Sequence, residues 1–104
     1  MRYTLTKIPD DEITFSLTGS FTFRDHDSFF EFVNMIKAKT YSKVTLDFSG
    51  CDFIDSAALG MLVILSDEIV SKNKKTQKII FNAAGKVKDV LLATRMDSLY
   101  EITD

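Results

Sequence analysis

Cysteine and histidine occur once each in the 104 residues, at Cys51 and His26, and tryptophan is absent. A single cysteine excludes an internal disulfide and any two-cysteine metal or redox pair. One histidine removes most zinc geometries, which draw on several His and Cys ligands. Charge of either sign is scarcely in excess: 13 Lys and Arg against 15 Asp and Glu leave a net −2. The basic footprint of a nucleic-acid binder is therefore missing. The longest apolar run, Ala57 to Leu65, falls far short of the roughly 20 residues of a membrane span. Met1 to Lys7 holds no apolar run of signal-peptide length, so the expected location is the cytoplasm, with no membrane insertion. The glycines Gly19, Gly50, Gly60 and Gly85 stand apart, and no phosphate-cradling loop or dinucleotide fingerprint can be built from them.

What is present is an ordinary globular composition, 45% hydrophobic and 27% charged, which excludes disorder for the bulk of the chain. The length suits one domain, residues 1–104. Nine phenylalanines supply most of the aromatic mass, eight of them between Phe15 and Phe53. Phe15, Phe29, Phe32 and Phe48 are expected in the core.

Tyr3 to Ile8 alternates like a strand, Pro9 to Asp11 is a turn, and Glu12 to Thr18 alternates again, with Ile13, Phe15 and Leu17 on one face. Two alternating runs across a short turn predict a hairpin, ended by Gly19 and Ser20. Thr22 to Asp25 fits a capping box. Behind it, Phe29, Phe32, Val33 and Ile36 recur at helical spacing, so a helix is predicted from about Arg24 to Lys39. Lys43 to Phe48 reads as a strand and Ser49 to Asp52 as a loop. A second helix follows from about Ala57 to Lys72. Its core stripe is Leu59, Leu62, Leu65 and Ile69, and Ala57, Met61 and Ile64 are apolar on another side. A helix apolar on more than one side is either buried on both or reserved for a partner. After a basic loop, Lys78 to Phe81 is a strand, and Asn82 caps a helix over about Ala84 to Thr94 with Val87, Val90 and Leu91 inward. Leu99 to Ile102 closes the chain as a short strand. The order β-β-α-β-α-β-α-β implies an α/β fold, a mixed, mostly parallel sheet with crossover helices and an N-terminal hairpin.

Catalytic readings are thin. His26 lies among Asp25, Asp27 and Ser28, but residues adjacent in sequence rarely form a triad; acids there suit a first helical turn. Cys51 fits a small buried hydrophobe better than a nucleophile. Asp47, Asp52 and Asp55 could hold Mg²⁺, though acids at strand ends more often cap and shape loops. No catalytic residue, cofactor or metal is expected. Ser56 is different, because it stands where strand and loop give way to a helix. Either Asp55 or Ser56 caps that helix, and the serine hydroxyl is also a possible acceptor of phosphate.

Val44 to Phe48, followed by Phe53-Ile54-Asp55-Ser56-Ala57-Ala58-Leu59-Gly60-Met61-Leu62, resembles the signature of STAS domains, the family of bacterial anti-sigma factor antagonists. Gly19 with Phe21 to Phe23, Asn82 with its following helix, and Leu99 to Ile102 extend the likeness over nearly the whole chain. The resemblance implies that Ser56 is phosphorylated by a partner, an anti-sigma factor or serine kinase of ATP-binding type. It also implies that a metal-dependent serine phosphatase reverses the mark, and that phosphorylation switches partner binding. It implies a contact surface of Phe23, Arg24, Asp25, Asp55, Ala57 and Met61, with Leu59 also at the interface while packing inward. Ala57 and Ala58 depart from the Ser and Gly of many phosphorylated members, and the chain ends where some members add a helix. A second class of STAS module, a non-phosphorylated subunit docked on a membrane transport ATPase, would use the same helix with Ser56 only as a cap.

Overall fold

The computed structural model describes residues 1–104. Strand β1 (Arg2–Thr6) turns back into β2 (Glu12–Phe21) as an antiparallel hairpin. A 3-10 turn at Phe23–Asp25 leads into α1 (His26–Ala38). Then come β3 (Lys43–Ile54), α2 (Ser56–Lys72), β4 (Gln77–Phe81), α3 (Gly85–Ala93), a 3-10 turn at Met96–Ser98, and β5 (Glu101–Thr103). The sheet order is β1-β2-β3-β4-β5, and every pair after the hairpin is parallel. Each crossover steps one strand in the same direction, and right-handed connections then put the three helices on one face.

The alternation in the strands explains that arrangement. Leu5, Phe15, Leu46, Ile80 and Ile102 form one row across all five strands, on the face that the helices cover. The neighbouring row is Thr6, Thr14, Thr45, Ile79 and Glu101, on the opposite, mostly polar face. Phe15, Phe29, Phe32 and Phe48 are all buried, as expected, within one core cluster of 25 residues. The ring of Phe32 stacks on Phe15 with centroids 4.0 Å apart and meets Tyr3 edge-on. Polar groups that enter the core are paired. The Tyr100 hydroxyl donates to the Leu62 carbonyl at 2.6 Å, and Lys78 Nζ to Ser66 Oγ at 2.8 Å. Burial raises the Tyr100 phenol and lowers the Lys78 ammonium from their ordinary values.

Three sequence-based expectations need correction. The predicted loop Ser49–Asp52 is strand: β3 continues to Ile54 beside an equally extended β2, with two register slips. At the first slip a Cβ on Gly50 would lie 2.7 Å from Thr18 Cγ2 and 3.3 Å from the Leu17 carbonyl oxygen, so any larger residue there would have to displace the Thr18 side chain. Asn82 does not cap α3; it is a left-handed turn residue at φ 64°, which asparagine tolerates, and Ala84 occupies the cap position. The last strand begins at Glu101 rather than Leu99, because a 3-10 turn takes up the residues before it.

Candidate functional site

The carboxyl ends of β2 and β3 lie side by side, with Phe21 paired to Ile54. In a sheet of this kind, functional surfaces collect beyond those ends. Here the chain leaves β2 through Thr22 to Asp25 and leaves β3 through Asp55 and Ser56. Two aspartates hold these exits.

Asp55 is the N-cap of α2. Its Oδ1 accepts the Ala58 N–H at 2.8 Å, satisfying one of the free donors of the helix start. Its Oδ2 accepts the Phe23 N–H at 3.1 Å, across 32 residues of sequence. The Asp55 N–H itself donates to the Phe21 carbonyl at 3.3 Å. One half-buried residue thus ties the start of α2 to the β2–α1 exit. Asp25 does a different job. Its Oδ2 accepts the Thr22 N–H at 2.8 Å and completes the capping box with Thr22. Its Oδ1 meets the α-ammonium of Met1 at 2.9 Å. Asp25 is only 9% exposed, so its carboxylate serves the fold and is not available to a partner, contrary to its place in the expected contact surface.

With Asp55 as cap, Ser56 is the first residue of α2 and exposed, and its hydroxyl makes no hydrogen bond within the chain. Of the two candidate caps, the aspartate does the capping. Around Ser56 stand Ala57, half-buried, and two aromatic side chains in water, Phe23 at 67% and Phe53 at 54% exposure. Arg24 is exposed as well. Phe21, flanking the same exits, is fully buried and stacks on Phe29. Met61 and Leu59 exchange their expected places. Met61 is 3% exposed in the core, while Leu59 is only half-buried. The inward stripe of α2 runs through Ala58, Met61, Leu62, Leu65 and Ile69, because the buried arc is centred on Leu65 and Leu59 falls at its edge.

Two concavities flank the β3–α2 junction. One, about 410 Å³ and open, is polar and lined by Ser20, Thr22, Phe23, Arg24 and Asp55. The other, about 160 Å³, is mostly apolar and lies between the end of β3 and α3, lined by Asp52, Phe53, Ile54, Lys86, Val87 and Val90. The α3 side of this groove was not legible beforehand, since nothing in the spacing of Lys86, Val87 and Val90 relates them to Phe53. The remaining sequence candidates do not join the site. Asp47 accepts the Ser49 N–H at 2.9 Å. His26 reaches only the margin of the site, with its ring centroid 4.5 Å from that of Phe30 and 6.0 Å from that of Phe23. Cys51 is buried, which pushes its thiol up, and its Sγ contacts the Phe53 carbonyl at 3.5 Å. No helix is long and apolar enough to cross a membrane.

The family model for the STAS domain matches residues 3–104. A STAS-domain containing protein of Pseudomonas aeruginosa (strain UCBPP-PA14) is 28% identical over 102 residues, covering 95% of this chain and 98% of the relative. Among solved structures, an anti-sigma factor antagonist from Mycobacterium paratuberculosis superposes with a TM-score of 0.84 at 16% identity, over 98% of this chain and 84% of that one. The Bacillus cell fate determinant SpoIIAA in its phosphorylated form gives 0.71 at 13% identity, over 99% and 92%. At these identities the structural likeness shows the fold alone.

Proposed function

The chain belongs to the STAS domain family, and on that premise we propose that it is an anti-sigma factor antagonist-like binding module, cytoplasmic and bacterial, switched by phosphorylation of Ser56. The observation that carries this reading is the division of labour at the head of α2. Asp55 caps the helix, so the Ser56 hydroxyl is exposed and free of structural duty.

The module supplies only the acceptor. The Ser56 hydroxyl oxygen attacks the γ-phosphorus of ATP held by a partner kinase, the bond to the ADP oxygen breaks, and the serine proton passes to a base of the kinase. A metal-dependent phosphatase returns the hydroxyl by hydrolysis, releasing inorganic phosphate. Phosphoserine brings about −1.5 to −2 charges and three acceptor oxygens. The dipole and the remaining free N–H groups at the start of α2 favour them locally, while the neighbouring carboxylates of Asp52 and Asp55 oppose them. The partner does not tolerate them, because its apolar contact with Phe23, Phe53 and Ala57 then meets a hydrated dianion. The fold need not change for binding to be lost. Arg24 and Asp55 frame the approach, and Asp55 holds Phe23 in place through the backbone bond described above. An unphosphorylated module binds its anti-sigma partner, and a phosphorylated one releases it.

Incubation with the cognate kinase and ATP is expected to add one phosphate, and Ser56→Ala to abolish it, read by intact-protein mass spectrometry. Ser56→Asp is expected to weaken capture of the anti-sigma partner. Phosphate on another residue, or unchanged capture by Ser56→Asp, overturns the switch.

A further inference from the structure

The outward face of α2 is short of charge. Over four turns it presents Ser56, Gly60, Val63, Ile64, Asp67, Val70 and Ser71, all exposed, and Asp67 is the only ionised group among them. A helix lying on a sheet with one face in water normally carries charged and polar residues there. Gly60 adds an independent sign. A Cβ at Gly60 would meet nothing within 4 Å, so nothing inside the domain requires glycine, although glycine in a helix interior weakens it. A gap in the middle of an exposed apolar face suits the close approach of something outside this fold.

Charge along the helix says what that is. Its head is acidic, with Asp52 exposed and Asp55 half-buried; Glu68 is half-buried at the edge of the outward face, Lys72 Nζ donates to the Lys37 carbonyl at 3.1 Å, and the free basic charge of the tail is that of the exposed Lys74 and Lys75. A helix with an acidic head, an apolar middle and a basic tail is complementary to its own reverse. We propose that α2 pairs with α2 of a second copy, antiparallel, about a twofold axis passing between Val63 and Ile64. That axis sets Val63 of each copy against Ile64 of the other, and Gly60 against Asp67, whose side chain needs the space the glycine leaves. It brings the acidic head of each helix to the basic tail of the other, and it opposes the helix dipoles favourably.

The same geometry limits the strength. Seventeen residues make a rod about 25 Å long, and one face of it covers a few hundred Å² per copy, below the roughly 800 Å² per partner of a stable complex. The dimer is weak and reversible, and it covers Ser56. Concentrated protein therefore holds a reserve in which the head of α2 is closed to other proteins.

Sedimentation equilibrium of the full chain from micromolar to millimolar concentration tests this. The expected result is a concentration-dependent dimer that high salt weakens. Val63→Lys, which puts a long cation into the apolar centre of the contact, is expected to weaken it about tenfold or more with unchanged circular dichroism. The pair Lys74→Glu and Lys75→Glu, which sets acid against acid, is expected to weaken it at low salt and to reverse the salt dependence, so that added salt restores association. A chain that stays monomeric throughout overturns the proposal and leaves the face to a different protein. A dimer that Val63→Lys leaves intact overturns it as well.

Discussion

Helices α1 and α2 lie side by side on one sheet and bury comparable inner faces, yet they treat solvent in opposite ways. The outward side of α1 is His26, Asp27, Glu31, Asn34 and Lys37, while that of α2 is Ser56, Gly60, Val63, Ile64, Asp67, Val70 and Ser71, with Glu68 half-buried at its edge and Lys72 at its end. Inside, Phe29, Phe32, Val33 and Ile36 answer Ala58, Met61, Leu62, Leu65 and Ile69. Stability of the domain asks only for the inner faces. The first helix meets that demand and nothing more, whereas the second keeps an apolar outer side that the isolated domain does not use. The contrast separates residues that make the fold from apolar residues that the fold leaves in solvent.

Breaking the inner faces is expected to hurt both helices alike. Phe32→Ala under α1 and Leu62→Ala under α2 each remove a fully buried side chain and are expected to cost about 3–5 and 2–5 kcal/mol in urea unfolding. The next largest effect lies at the head of α2. Asp55→Ala removes a helix cap and leaves the Phe23 N–H without its acceptor, for about 1–2 kcal/mol, and proteolysis or hydrogen exchange is expected to show the β2–α1 exit loosening with it.

Tyr100 separates the helices by pH. Its hydroxyl holds the Leu62 carbonyl of α2, and burial keeps the phenol protonated in the fold well above its ordinary 10.0. The unfolded chain releases that proton first, so stability is full below pH 10.0 and falls as pH rises beyond it. Lys78 acts in the opposite sense. Its ammonium is lowered below 10.5 by burial, so the fold sheds that proton early and gains stability as pH rises through this interval. In denaturation curves at increasing alkaline pH, Tyr100→Phe is expected to flatten the loss, at a cost of about 0.5–1.5 kcal/mol near neutrality. The smallest effects belong to the outer face of α2. Gly60→Ala is expected to raise stability by about 0.5–1 kcal/mol, and Val63→Lys to leave it within about 0.5 kcal/mol; larger losses in thermal melts would mean that the domain itself needs this face.

Much of this was legible in the sequence. The alternation of Ile13, Phe15 and Leu17 fixes which side of the sheet is covered, and the spacing of Phe29, Phe32, Val33 and Ile36 fixes α1. The Asp55-Ser56 junction was legible too, though not which of the two caps the helix; that depends on the Phe23 N–H, which the fold brings from a distant part of the chain. Met61 and Leu59 were exchanged because α2 is apolar almost all round, and periodicity cannot orient a helix without a polar side. The buried role of Asp25 and the groove between Phe53 and α3 rest on tertiary neighbours, which local pattern does not encode.

The two register slips in β3 give the segment from Ser49 to Phe53 the properties of a ruler. Glycine, serine and aspartate make it look like a tolerant loop, where a lost or added residue should pass unnoticed. As paired strand it obeys a parity: each residue removed or inserted turns every following side chain to the other side of the sheet. The slips add two residues to β3 relative to β2, an even number, so Ile54 still enters the core and Asp55 still reaches the Phe23 N–H. Length variation in this family should therefore gather in true connections such as Ser71 to Thr76, while single-residue insertions or deletions between Ser49 and Phe53 should be absent from functional relatives.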